Sequence, residues 1–150
     1  MKFVIQRVLR AAVTIDENET REISEGLMVL AGIGREDTAA DVEWMARKLI
    51  NLRIFEDDEG KMNLSVKDID GEIMIVSQFT LYATTKKGNR PGFTLSAPPE
   101  QAVPLYEKLL REVGTLSGRE PAAGKFGASM RIDLVNNGPV TIILDSKNQE

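Results

Sequence analysis

Two short segments carry the side chains best suited to chemistry. In Ser77-Gln78-Phe79-Thr80-Leu81, two hydroxyls and a carboxamide interrupt an apolar run. A polar group buried without a partner costs about 1–3 kcal/mol, so such residues need either solvent or a task. Two readings stand side by side. Alternate residues of a strand can face solvent, and threonine is a common strand former; or the segment lines a reactive pocket. The second segment is Asn136-Asn137-Gly138-Pro139-Val140-Thr141. Asn-Gly-Pro ordinarily marks a turn that delivers the chain into a strand. A cis Gly138–Pro139 bond is the sharper reading. Only ~5–6% of X-Pro bonds in folded proteins are cis, so these residues alone do not select it.

The chain has neither Cys nor His. Disulfides are excluded, as are Ser-His-Asp triads, Cys-His pairs and His-ligated zinc built from one chain type. Catalysis is left to hydroxyls, carboxylates, Lys, Arg, backbone groups, a bound ion or the substrate itself. Other candidates carry less. Glu56-Asp57-Asp58-Glu59 reads more readily as a solvated turn than as a cation site. Gly32-Ile33-Gly34 is too short for a dinucleotide fingerprint, and Gly124 to Gly127 lacks the Lys-Ser/Thr ending of a phosphate loop. Thr80 as a nucleophile activated by Lys86 or Lys87 is chemically allowed but has no geometric support at this level.

Lys and Arg number 19 against 23 Asp and Glu, a formal charge of −4. That balance argues mildly against a nucleic-acid partner, which usually leaves a basic footprint. Charge can be local, however. Lys86, Lys87 and Arg90 fall within five residues, and Arg7 and Arg10 lie near the start. On charge alone, a solvated loop and a strand end are the favoured reading of them. The opening MKFVIQRVLRAAVTI alternates like a strand and lacks a signal peptide's apolar run. With no run near the ~18 apolar residues of a membrane span, the expected location is the cytoplasm.

These segments need elements to hold them. At 150 residues the chain fits one domain, with no linker or repeat dividing residues 1–150. Residues 2–8 and 11–15 alternate as two short strands, joined onward by the polar turn Asp16-Glu17-Asn18-Glu19. Gly26 to Gly32 is nearly all apolar, as a strand buried on both faces would be. Asp37-Thr38 offers a helix cap, with Asp41 placed for a near capping box. Val42, Met45, Ala46, Leu49 and Ile50 then follow at helical spacing. Residues 72–82 form the longest strand candidate, and a Thr/Lys/Gly/Pro-rich loop spans 83–97. A second amphipathic helix opens at Pro98 or Pro99, with Pro104 predicting a kink or a late start. Residues 125–135 and 140–145 close the chain as strands. The expected class is α/β (α+β): a single compact domain of mixed β-sheet with two main amphipathic helices.

Taken together, the segments resemble the D-aminoacyl-tRNA deacylase family over essentially the whole chain. The resemblance runs through Gln6-Arg7-Val8, Asn51 to Phe55, Gly60 to Ser65 and Ser77 to Leu81. Arg90-Pro91, Ala97-Pro98-Pro99, Phe126-Gly127-Ala128 and Asn137 to Thr141 complete it. Any one of these is weak, but the ordered set is specific. There are departures: the family commonly has an acidic residue where Asn137 and Ser129 stand, and a more Arg-rich loop than Thr84 to Lys87.

The resemblance implies a symmetric homodimer that hydrolyses the ester of D-aminoacyl-tRNA, and of mischarged glycyl-tRNA. It also implies a cis Gly138–Pro139 bond whose carbonyls enter the partner's pocket and accept from the substrate's α-amino group. An L side chain would then drive into the pocket wall, so the site discriminates by clash as well as attraction. Arg7 is expected to brace that loop. Ser77, Gln78, Phe79 and Thr80 are expected at the reactive end, with backbone N–H groups of Phe79 and Thr80 facing the oxyanion and water attacking. Asn137, Val140, Phe126 and Met130 are the further substrate-binding expectations, and Lys86, Lys87 and Arg90 the tRNA contacts. The substrate's 3′ end is the expected partner, with no DNA, membrane, metal or cofactor.

Overall fold

The computed structural model describes residues 1–149. Strand β1 (Lys2–Ile15) is central, with β2 (Glu19–Ile23) and β3 (Gly26–Gly32) antiparallel to it along different stretches of one edge. Helix α1 (Ala39–Asn51) follows, then a small hairpin of β4 (Phe55–Glu56) and β5 (Met62–Leu64). Strand β6 (Glu72–Ser77) runs parallel to β3, and β7 (Ala122–Ala123) parallel to β6. Helix α2 (Pro99–Ser117) lies between β6 and β7 in the chain. The final strand, β8 (Met130–Asp145), pairs antiparallel with β1 over most of its length. The sheet is mixed and carries two helices, in agreement with the expected class.

The two expected strands at 2–8 and 11–15 are one. Between Val8 and Arg10 the register with β8 advances a single residue, from Asn136 to Val135. Leu9 is therefore a bulge, and a bulge reverses which face each later side chain meets. Phe3 and Ile5 enter one core, whereas Val8, Ala11, Val13 and Ile15 enter the other. The break in alternation was real, but it marks a change of face within one strand.

The first core lies under α1 and α2, where Phe3, Ile5 and Val29 meet Met45, Leu49, Leu109 and Val113. The second lies on the opposite face, around Val13, Met28, Met74 and Val76. Strand β3 supplies both, which explains its unbroken apolar sequence. The sheet curls until its two ends meet, with Arg21 Nη1 on β2 donating to the Ala123 carbonyl on β7 at 2.6 Å.

Helix α1 starts as expected. The Thr38 N–H donates to Asp41 Oδ2 at 2.8 Å, and its five expected apolar residues are buried. Helix α2 begins at Pro99 and continues through Pro104, so the alternative of a late start does not occur. Asp57 Oδ1 accepts the Glu59 and Lys61 N–H groups at 2.9 and 3.0 Å. The acidic run thus forms the hairpin turn, and no group of three metal-ligating side chains occurs among the described residues. No helix among them is long and apolar enough to cross a membrane.

Two strand expectations need correction. Residues 72–82 are not one strand: β6 ends at Ser77, and Phe79–Tyr82 form a 3-10 turn. Residues 125–129 are not strand either, since β8 begins at Met130. Gly127 there has φ +79°, a backbone shape that a regular strand does not contain.

Candidate active site

The Ser77–Thr80 segment is shaped by the end of the sheet. Gln78 N–H still donates to Ala31 O at 2.8 Å, the last bond of the β3–β6 pairing. The chain then winds, and Leu81 N–H returns to Gln78 O at 3.3 Å. A helical turn leaves its first N–H groups without internal acceptors. Those groups belong to Phe79 and Thr80, and neither has a hydrogen-bond partner among the described residues. Gln78 and Thr80 are thus neither buried in a strand nor on its solvent face, and Ser77 is the last residue of β6. They stand where a strand turns out of its sheet.

Ser77, Gln78 and Phe79 open onto a cavity of about 270 Å³, closed by Phe126, Gly127, Ala128, Met130 and Ile132. The expected residues Phe126 and Met130 therefore share this cavity with Ser77, Gln78 and Phe79. Phe126 packs against Tyr106 with ring centroids 6.1 Å apart, and Tyr106 donates to Ile75 O at 2.8 Å. Burial, slightly offset by the Arg21 charge, pushes the Tyr106 phenol up to about 12, so it stays a donor. Gln78 Nε2 donates to Thr80 Oγ1. No Lys or carboxylate pairs with Thr80 Oγ1 among the described residues, and Lys86, Lys87 and Arg90 are exposed on the following loop.

The second segment forms an excursion from β8. Gln6 pairs with Thr141 and Val8 with Asn136, so residues 137–140 stand opposite Arg7 alone. The Gly138–Pro139 peptide bond is cis, and Gly138 has φ +145°, which a side chain rarely tolerates. A methyl on Gly138 would lie 2.6 Å from Val140 Cγ2 and 2.8 Å from Val140 N. Arg7 is buried; its Nε donates to Asn137 O at 2.9 Å and its Nη1 to Ile54 O at 2.7 Å. Asn136 closes the excursion from the other end, accepting the Val140 N–H on Oδ1 at 2.8 Å and donating to Val140 O at 3.2 Å. Gly138 and Pro139 are exposed, while Val140 turns its side chain into the helix-side core. Asn136 was not singled out as a site residue. Its signal lay in the spacing, since a carboxamide four residues before a backbone N–H can close a loop.

Within one chain the two segments do not meet. Arg7 pairs with Leu27 and Leu27 with Ile73, four residues before Ser77. That is roughly 13 Å along the strands and, from β8 to β6, roughly 14 Å across three strand spacings. The segments are therefore on the order of 20 Å apart.

Against known proteins, the family model for D-Tyr-tRNA(Tyr) deacylase matches residues 4–145. A D-aminoacyl-tRNA deacylase of Chlorobaculum parvum is 58% identical over 146 residues, covering 97% of this chain and 98% of its own. One from Flavobacterium psychrophilum is 54% identical over 150 residues, all of both chains. The solved structure of a protein named c-Myc DNA Unwinding Element Binding Protein superposes with a TM-score of 0.89 at 46% identity. It covers 97% of this chain and 98% of that one.

Proposed function

The chain belongs to the D-Tyr-tRNA(Tyr) deacylase family and is a D-aminoacyl-tRNA-hydrolysing enzyme, and on that footing we propose how its two separated segments share one substrate. The observation that carries the reading is the pair of unpartnered N–H groups, Phe79 and Thr80, beside the Ser77–Met130 cavity. The ester carbonyl of the substrate lies against them. Water attacks the carbonyl carbon, the carbonyl electrons move onto oxygen, and the two N–H groups hold that oxyanion. Donors so placed are typically worth 10²–10³ in rate each. Collapse expels the ribose oxygen, which takes up the proton that the water releases. The products are a D-amino acid and tRNA.

The absence of His and Cys suits this route. An aminoacyl ester is already activated, and the neighbouring ribose 2′-hydroxyl assists the water. The Thr80 hydroxyl and Gln78 position the ribose and the water.

Chirality is read by the Gly138 and Pro139 carbonyls, which accept from the α-amino group. With amino group and ester both fixed, a D side chain points to open space and an L side chain into the wall. Glycine has no clashing group, so glycyl-tRNA is also cleaved. An amino group and its ester carbonyl are only two bonds apart, whereas the two segments are on the order of 20 Å apart in one chain. Each site is therefore built from two copies, in an isologous homodimer. Lys86, Lys87 and Arg90 meet phosphates, which makes tRNA binding weaken with salt. The enzyme works in the cytoplasm, where aminoacyl-tRNA is found.

The test is a pair of time courses with D- and L-tyrosyl-tRNA, run beside Gly138→Ala and a no-enzyme control. Rapid loss of the D ester alone, weakened in the variant, supports the reaction and the chiral pocket together. Equal loss of both esters leaves a hydrolase without chiral selection. Binding without turnover, or binding abolished by duplex DNA competitor, turns the protein into a nucleic-acid-binding module.

A further inference from the structure

Gly32 ends β3 and Ile33-Gly34 follow it, and both glycines are pressed against the Phe79–Tyr82 turn. A methyl on Gly32 would lie 3.0 Å from Leu81 Cβ and 3.1 Å from Gln78 O. On Gly34 it would lie 2.7 Å from both Cε1 and Cζ of Tyr82 and 2.9 Å from the hydroxyl. Real Cβ atoms essentially never come that close, so the Tyr82 ring occupies space that only glycine leaves free. Tyr82 is the last residue of the turn that starts at Phe79.

The ring is held on other sides too. Its hydroxyl donates to Asp37 Oδ2 at 3.4 Å, and Lys2 Nζ lies 4.8 Å from its centroid. Asp37 is itself fixed: Oδ2 accepts the Gly34 N–H at 2.7 Å, and Oδ1 takes the Met1 α-ammonium at 2.5 Å. The same stretch secures the returning loop. Arg35 N–H donates to Leu95 O at 3.1 Å and Ala97 N–H to Ile33 O at 2.9 Å. Phe93, on that loop, meets Phe79 edge-on with centroids 5.0 Å apart. One segment thus grips the turn at its far end and steadies the aromatic contact at its near end.

We propose that Gly34 and Asp37 are positioning residues, which set the angle of the Phe79 and Thr80 N–H groups by fixing the Tyr82 ring. The proposal rests on the oxyanion role assigned to those groups. A shift of the order of 1 Å in such donors is enough to cost ~10²-fold in rate. Chirality is read at the distant Gly138–Pro139 excursion, so the D/L ratio is spared when the ring moves.

The experiment compares wild type, Gly34→Ala, Tyr82→Phe and Gly114→Ala with D-tyrosyl-tRNA. Each is measured for kcat, KM, D/L ratio and melting temperature. Gly114 is the control, since a methyl there meets its nearest neighbour at an ordinary 3.7 Å. Gly34→Ala is expected to lose at least ~10-fold in kcat with the D/L ratio little changed. Tyr82→Phe, which keeps the ring but not the Asp37 bond, is expected to fall between, and Gly114→Ala to match wild type. A folded Gly34→Ala with wild-type kcat overturns the proposal. If Gly34→Ala does not fold, Tyr82→Phe decides, and unchanged kcat in it is equally fatal. An inactive wild type defeats the deacylase mechanism itself and is thereby told apart.

Discussion

Arg7 and Asn137 are 130 residues apart, and the Arg7 Nε–H donates to the Asn137 carbonyl at 2.9 Å beside the Gly138–Pro139 excursion. A second bond, from Nη1 to Ile54 O at 2.7 Å, ties the same guanidinium to the end of the α1 connection. The charge is buried, and backbone carbonyls rather than a carboxylate compensate it. A planar fork reaches two carbonyls in different directions, which an ammonium group on a flexible stem does not reproduce.

Arg7→Lys is therefore expected to be far from conservative. Loss of one charged hydrogen bond lowers stability by about 1–3 kcal/mol. Because the excursion then wanders, the ratio of D- to L-tyrosyl-tRNA turnover should fall more than the melting temperature suggests. Chemical denaturation and paired time courses measure the two effects. An unchanged D/L ratio in a folded variant would show that Arg7 is only a structural brace.

The proposed sharing of each site by two copies has a complementation test. Gly138→Ala impairs the excursion and Gln78→Ala the reactive segment, and each homodimer alone should be weak. Mixed and allowed to exchange, half the dimers become heterodimers, each with one site built from two unaltered segments. Recovery to roughly a quarter of wild-type activity is expected. No gain over the separate variants, with exchange verified by mass, would place both segments in one chain's site.

How much of this was legible beforehand differs by element. Helix α1 was readable to its cap because Thr38, Asp41 and the apolar stripe act locally. Strand β3 was readable because burial on both faces leaves no polar position. The end of β6 was not readable: strand-forming residues stand on both sides of Ser77-Gln78, and only the sheet's geometry ends the strand at Ser77. Leu9 reads as a gap between strands because a bulge and a turn break alternation alike. The Gly34–Tyr82 contact joins segments 48 positions apart, and no periodicity reports it. The two segments of the candidate site stand out by residue type, and their roles came from the family resemblance; their separation into two distant halves came from the register.

Thr80 separates positioned water from a covalent intermediate. Its hydroxyl oxygen accepts from Gln78, and no base is paired with it among the described residues. Thr80→Ala should therefore lose a positioning contact, worth roughly 10-fold or less in kcat, by the typical 0.5–1.5 kcal/mol of one neutral hydrogen bond. Single-turnover kinetics with labelled D-tyrosyl-tRNA measures it. Loss of all turnover, with label trapped on Thr80→Ser, would instead establish Thr80 as the nucleophile.

Asp41 gives a prediction in pH that is independent of the active site. Burial alone would raise its carboxyl, but hydrogen bonds from Ser146, the Thr38 N–H and Lys147 outweigh it and hold the group at about 2. The unfolded value is near 3.9, so the folded group is the stronger acid. Its contribution is complete above roughly pH 4 and lost as pH falls through about 2. The full difference corresponds to on the order of 2 kcal/mol, an upper bound for Asp41→Asn because the carboxamide still accepts a bond. Urea midpoints at pH 7, 4, 3 and 2.5 should therefore show the variant less stable at neutral pH, with the gap closing towards pH 2.5. A gap that stays constant across that range would mean the carboxylate's charge contributes nothing, and that the variant loses packing alone.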